Sequence, residues 1–269
     1  MTIRSVHEAA LAALMEADPD AKCAAAQALQ ADWGAGRLRV VAAADLGEPL
    51  THPGRPPRPL LVPPQEVPVR AAGRREGHAA LLHAIAHIEF NAIDLALDCV
   101  YRFRSLPVDF HAGWVQVAAE EAQHFGLVRE RLRALGFDYG DFSAHNGLWE
   151  MACRTAADAL ARMALVPRVL EARGLDATPP IMARLRAIGD AGSVAVLETI
   201  LRDEVGHVAL GDRWFRHLCA ARGVDAETTY RQLVDDFGAP RPRPPLNVEA
   251  RRAAGFSEAE LARLGGAQD

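Results

Sequence analysis

The sequence predicts an all-α protein in which four long helices pack as a bundle, and three observations carry that expectation. Ala, Leu, Glu and Arg, which lose little side-chain freedom in a helix, are abundant, whereas aromatic residues make up only 6% of the 269 positions. Apolar residues recur at helical spacing over four long stretches, about 77–104, 110–136, 148–174 and 190–222. Each stretch is followed by a helix-ending residue, in turn Pro107, Gly136, Gly174 and Gly223.

Taken in order, residues 1–47 form an N-terminal helical lobe, two short helices broken at Asp18-Pro19 and closed by Gly34 and Gly36. Residues 48–76 are a Pro/Arg-rich strap, in which the eight prolines from Pro49 to Pro68 exclude a continuous helix and favour extended backbone along the surface. Its arginines, Arg55, Arg58, Arg70, Arg74 and Arg75, read as solvated charges on that strap in preference to an RNA-binding patch. The bundle occupies 77–222. A C-terminal helical tail fills 223–269, with a helix near 225–237, a proline run from Pro240 to Pro245 and a last helical piece around 257–264, where Ser257 and Glu260 have capping-box spacing.

With half of its residues hydrophobic and a quarter charged, the chain has enough apolar content for a substantial core, which excludes disordered, collagenous and small disulfide-stapled classes. A formal net charge of −5 argues against general affinity for nucleic-acid phosphates and leans towards a small-molecule site. Cys23, Cys99, Cys153 and Cys219 are scattered with no Cys-x-x-Cys pair, so they read as reduced core residues, neither a zinc site nor a redox dithiol. The first twenty residues lack the unbroken apolar run of a signal peptide, and no stretch approaches eighteen uncharged apolar residues, so the expected location is cytoplasmic, with no membrane partner.

The chemistry lies where the apolar stripes are interrupted. In the first bundle helix the stripe Leu82, Ile85, Ala86, Ile93, Ala96, Leu97 and Val100 contains Glu89; a carboxylate there has to meet a cation, take a proton or lie on a face more exposed than the pattern suggests. In the second, Trp114, Ala118, Phe125, Val128 and Leu132 frame Glu121 and His124, a Glu-x-x-His that puts two ligands on one face. The third shows Leu160, Met163 and Ala164 with Glu171 on the same face near its end, and Pro167 four residues earlier should bend or restart that helix. In the fourth, Val194, Leu197, Leu201 and Val208 frame Glu204 and His207, a second Glu-x-x-His. Glu121 follows Glu89 by 32 positions and Glu204 follows Glu171 by 33, a register that suggests internal duplication. Four carboxylates and two imidazoles facing a four-helix core are the ligand set of ferritin-like dinuclear carboxylate proteins. Asp203 and Glu120, adjacent to ligand glutamates, are candidates to orient the imidazoles of His124 and His207. His83 and His87 read as helix-packing residues, and His111 and His145 as surface or capping residues.

Several segments, HAIAHIEFNAIDLALD at 83–98, AAEEAQHF at 118–125, LVPRVLEARGLD at 165–176, LRDEVGHVALG at 201–211 and EARRAAGFS at 249–257, resemble a bacterial ferritin-like family known as domain of unknown function 455. That family is distantly similar to tRNA-hydroxylating di-iron enzymes. The resemblance implies the ferritin-like fold and a metal pair on Glu89, Glu121, His124, Glu171, Glu204 and His207, and leaves the substrate open.

A donor set of this kind suits two iron ions, with manganese or a mixed Mn/Fe pair as alternatives. The expectation is a non-haem di-iron oxidoreductase, an O2-dependent oxidase or hydroxylase of a small-molecule substrate, whose electron donor and oligomeric state stay open. Its competitors are a tRNA-modifying hydroxylase, a ferroxidase and a non-catalytic metal-binding bundle. Nothing beyond the metal ligands stands out as a catalytic residue.

Overall fold

The computed structural model describes residues 4–42, 47–68 and 74–266, and the chain in it is mostly helical, as the composition predicts. Among the described residues the one sheet is a pair of two-residue strands, β1 (Arg4–Ser5) and β2 (Leu38–Arg39), which run parallel. Backbone contacts divide the chain into two compact units, 1–153 and 154–269.

The first unit begins with α1 (Val6–Leu14) and α2 (Pro19–Gly34). Asp18 caps α2 by accepting from the amide of Ala21, and Pro19 takes the first helical position, where no backbone donor is missed. The described part of the strap, 48–68, follows in largely extended geometry, with a 3-10 turn at Pro64–Glu66 and a parallel bridge between Leu61 and Ala144. It leads into α3 (Arg75–Arg102) and α4 (Val108–Ala134), which pack along their length. Between them Phe90 and Phe125 meet at 5.2 Å, and Tyr139 closes the group at 5.3 Å from Phe90. The turn after α4 needs Gly136, whose φ of 80° lies in the left-handed region. α5 (Gly147–Arg154) ends the unit. Among the described residues α3 is the one helix long and apolar enough to cross a membrane; 78% of that apolar stretch is buried within the protein, so it serves as a core helix.

Lys22 fastens the strap inside this unit. Fully buried, its ammonium donates to the carbonyl oxygens of Leu14 at 3.0 Å and Gly54 at 2.8 Å and pairs with the carboxylate of Asp94 on α3. A buried ion pair persists only when its remaining donors are also satisfied, and the two carbonyls meet that condition. Arg55 departs from the sequence expectation: it is half-buried, donating to Asn146 and Asn91, because the strap's close approach at Gly54 aims the neighbouring side chain inward. Arg58, Arg74 and Arg75 are exposed as expected, and Arg70 lies outside the described residues.

The second unit corrects the third long helix. It is expected to run over 148–174 and stop at Gly174; instead α5 ends at Arg154, α6 (Ala159–Leu165) follows, a π-helical turn spans Val166–Glu171, and α7 (Ala172–Ala187) passes straight through Gly174. Pro167 interrupts the α-helical bonding within this turn, since it lacks the amide an α-helix would use there. Gly174 costs a helix interior only about 1 kcal/mol relative to Ala, and burial of Ala172 and Leu175 beside it offsets that. α8 (Ala191–Arg222) is capped by Asp190 and ends at Gly223, with a left-handed φ of 66°. The tail contains α9 (Ala226–Asp236), α10 (Val248–Ala253) and α11 (Glu258–Gly266), of which α10 carries no strong sequence signal. The Ser257–Glu260 capping box forms reciprocally, amide of each to side chain of the other. Ala172, Leu175, Val208, Ala254, Phe256 and Leu261 make this unit's core.

Candidate metal centre

In the first unit α3 and α4 bring three expected ligands together. Glu89 sits among Ala86, Phe90 and Ile93, and Glu121 and His124 lie one turn apart between Ala118, Ala122 and Phe125, whose small alanines leave room for polar side chains between the helices. Glu89 is 4% exposed, Glu121 0% and His124 1%. Nδ1 of His124 lies 3.4 Å from the Glu89 carboxylate and 3.3 Å from that of Glu121. One ligand atom from each residue falls within 4.8 Å of the others. Donors bonded to a common ion at about 2.1 Å lie within roughly 4.2 Å of each other, so a few tenths of an ångström of side-chain rotation completes the approach.

Electrostatics give the same result. Burial works against a charged imidazole at His124, yet the carboxylates of Glu121 and Glu89 overcome it and hold its pKa up at about 11. In the metal-free protein an imidazolium therefore offsets part of the charge of the two buried carboxylates. A divalent cation would do so with more charge, and His124 would then give up that proton to become a ligand. The donor set fits a carboxylate-rich transition-metal site.

In the second unit Glu204 and His207 share one face of α8, with Glu204 Oε1 3.5 Å from His207 Nδ1. His207 is 2% exposed and Glu204 is half-buried. Glu171 is also half-buried and ends the π turn, between two helical segments and not near a helix terminus as the spacing suggests. Glu120 accepts from Gln116 on its own helix at 2.8 Å, and Asp203 pairs with Arg202 at 3.0 Å.

The other histidines divide as follows. His83 accepts the amide of Gly140 through Nε2, and His87 contacts the Tyr139 hydroxyl and the carbonyl of His145, so both are packing residues as expected. Burial lowers each pKa to about 4. His145 takes its capping role by accepting from Gly147 at the start of α5. His111 is a correction: 0% exposed and bonded to the carbonyl of Leu106, it belongs to the core, since its ring packs on Phe110 and His7. Cys99 and Cys219 are buried as expected, Cys23 is half-buried, and Cys153, placed on the outer side of short α5, is exposed.

Several buried charged groups escape the sequence reading, among them Arg102 with Asp98, Arg251 with Asp176, and two that hold the chain near the expected ligands. Lys22–Asp94 is one; its signal in the sequence is the row Asp94, Asp98 and Arg102, spaced four apart in an otherwise apolar helix. Arg168, in the π turn, is the other. Its guanidinium is fully buried, paired with Asp212 at 2.8 Å and Glu260 at 2.5 Å and stacked over Phe215 and Tyr230 at 4.7 and 4.4 Å. It anchors the backbone that carries Glu171.

Among known proteins, the family described as protein of unknown function (DUF455) matches residues 15–262. An uncharacterized protein of Haemophilus influenzae is 49% identical over 213 residues, 77% of this chain and 74% of the relative. No solved structure matches.

Proposed function

The chain belongs to the DUF455 family, and from that premise we propose that it is a ferritin-like dinuclear-metal protein, a di-iron oxidase or hydroxylase that uses dioxygen on a small organic substrate. The observation that carries this reading is the buried convergence of Glu89, Glu121 and His124. The matched sequence register extends it to Glu171, Glu204 and His207, and the adjacency of Glu204 to His207 supports that extension. Four carboxylates with one imidazole per ion suit iron, and manganese next.

When bound, a ferrous pair supplies the electrons that reduce dioxygen as the substrate is oxidised. The chain's own part is to hold four carboxylates and two imidazoles where water is scarce, so that their charge is met by cations and not by solvent. His124 would yield its proton on loading, and Asp203 and Glu120, which meet Arg202 and Gln116 in the metal-free chain, would be the groups to orient the imidazoles of His124 and His207. The π turn places Glu171 on backbone that lacks α-helical bonding, a local geometry that recurs at functional sites. The RNA-directed alternative is weakened because Arg55 is engaged inside the first unit, leaving fewer arginines on the strap.

Metal analysis after anaerobic ferrous loading tests the reading. The expected result is two iron ions per chain, fewer in Glu204→Ala, and oxygen uptake with ferric near-ultraviolet absorption on exposure to air. A chain that stays free of metal and spectroscopically silent overturns it, and bound iron without oxygen uptake leaves a metal-binding bundle in place of an enzyme.

A further inference from the structure

The segment EARRAAGFS at 249–257 has no part in the metal reading, yet together with α11 it grips the backbone on both sides of Glu171. Arg251 of α10 is 1% exposed; its guanidinium donates to the carbonyl oxygen of Ala172 at 3.2 Å and pairs with Asp176 of α7 at 2.6 Å. Ala172 directly follows Glu171. Three residues before Glu171, Arg168 of the π turn pairs with Glu260 of α11 at 2.5 Å. The ring of Phe256, 3% exposed, packs against both cations, its centroid 5.0 Å from each guanidinium carbon. Gly255 lets the chain come this close: its φ of 98° is left-handed, and a Cβ there would lie 2.6 Å from the Asp212 carboxylate. Asn247, the cap of α10, adds two more bonds to α7, from its backbone amide to Asp176 at 2.9 Å and from its side chain to the carbonyl of Leu175 at 3.2 Å.

A π turn lacks the regular α-helical bonding that would fix its own rotation, so contacts from outside have to set it. A slip back to α-helical register would turn Glu171 by about 100°. Buried ion pairs add little net stability compared with apolar packing, yet the tail places two of them, with a carbonyl bond, on this short stretch. We propose that the tail is the positioning element for Glu171: Glu260, acting through Arg168, and Arg251, acting through Ala172, hold that carboxylate in the direction in which it serves as a metal ligand. The inference rests on the dinuclear-metal reading and extends it to residues 247–260, which lie beyond the four ligand-bearing segments.

The probe is cobalt(II), whose visible absorption reports the coordination of each bound ion, titrated into the metal-free full-length chain. The unaltered chain is expected to take two ions. Glu260→Gln keeps the size of the side chain and its bond to the Ser257 amide but removes the charge facing Arg168. It should raise the Kd of one of the two ions about ten-fold, the low end of what losing a group that orients a ligand costs, and shift that ion's visible bands. Arg251→Lys keeps the charge facing Asp176 but gives up the fork that also reaches Ala172, and it should act in the same sense. Leu185→Ala, a core cavity thirteen residues further along α7, should lower the thermal midpoint and leave both affinities unchanged. A tail that merely stabilised the unit would act with or without Glu171, so the deciding measurement repeats Glu260→Gln in a Glu171→Gln background, where the weakened ion's Kd should not change further. Affinities that neither Glu260→Gln nor Arg251→Lys alters, or a Glu260→Gln effect that is equally large without Glu171, overturn the inference while the metal reading stands. An unaltered chain that takes up no cobalt overturns both.

Discussion

His83 permits a quantitative test of how the first unit is held together. Its Nε2 accepts the Gly140 amide at 2.9 Å, and a backbone N–H can only donate, so the ring must keep a lone pair there and stay neutral. It is 1% exposed and packed against Tyr139 and Phe142. Desolvation lowers its pKa from 6.5 to about 4. The unfolded chain binds the proton near pH 6.5 and the folded chain only near pH 4, so the stability His83 contributes is complete above 6.5 and lost as the pH falls towards 4. At ~1.4 kcal/mol per pH unit, moving from about pH 7.5 to about pH 5 removes about 2 kcal/mol. Other groups titrate over the same interval, so the measurement is a double difference. Urea unfolding of the metal-free chain at both pH values is compared with that of His83→Gln, whose amide oxygen can still accept from Gly140 but does not titrate. The acid-induced loss should be smaller in the variant by about 2 kcal/mol. Equal losses in the two proteins would refute the claim that His83 is neutral and locked to Gly140.

Lys22→Met should destabilise the first unit by about 3–5 kcal/mol, because it leaves the fully buried Asp94 carboxylate without its cation, and the loss should show as a lower urea midpoint. Gly211→Ala should lower the thermal midpoint by an amount equivalent to about 1–3 kcal/mol, since the new methyl would fall 2.2 Å from Cγ of Pro167 in a ring that cannot swing away. Gly174→Ala should act in the opposite sense, raising stability by about 0.5–1 kcal/mol, because nothing lies within 4 Å of the added atom and the helix is continuous there; a lower thermal midpoint would mean that α7 is interrupted at this position.

Local rules made most of the helices legible. Asp18-Pro19, Pro107, Gly136 and Gly223 mark boundaries because capping geometry and left-handed φ depend on one or two residues. Glu89, Glu121 and His124 were legible because a straight α-helix converts spacing into a common face without help from the rest of the chain. Long-range contacts were not legible. Whether Arg55 points to water or to Asn91 and Asn146 is decided by partners 36 and 91 residues away. Lys22 meets Asp94 across 72 residues; the row Asp94, Asp98 and Arg102 marks a polar line on an apolar helix, but nothing near it in the sequence names Lys22 as the partner.

The third ligand segment shows where counting along a helix stops being a guide. Placing Glu171 on the face of Leu160 and Ala164 assumes α-helical rotation of about 100° per residue throughout. The π turn at Val166–Glu171 adds one residue to a turn, so side chains beyond it are rotated by about 100° from the face that periodicity assigns. Pro167 makes the α-helical bond impossible, but it does not choose among a kink, a restart and a π turn. Two contacts within the second unit make that choice: Gly211 of α8, which has no side chain where the Pro167 ring rests, and Arg168, drawn into the core by Asp212 and Glu260. Asp212 lies 44 residues from Arg168 and Glu260 lies 92. The direction of Glu171 is therefore set by the packing of α8 and α11 against the turn, and the matched spacing of the two halves identifies the residue without fixing the face it presents.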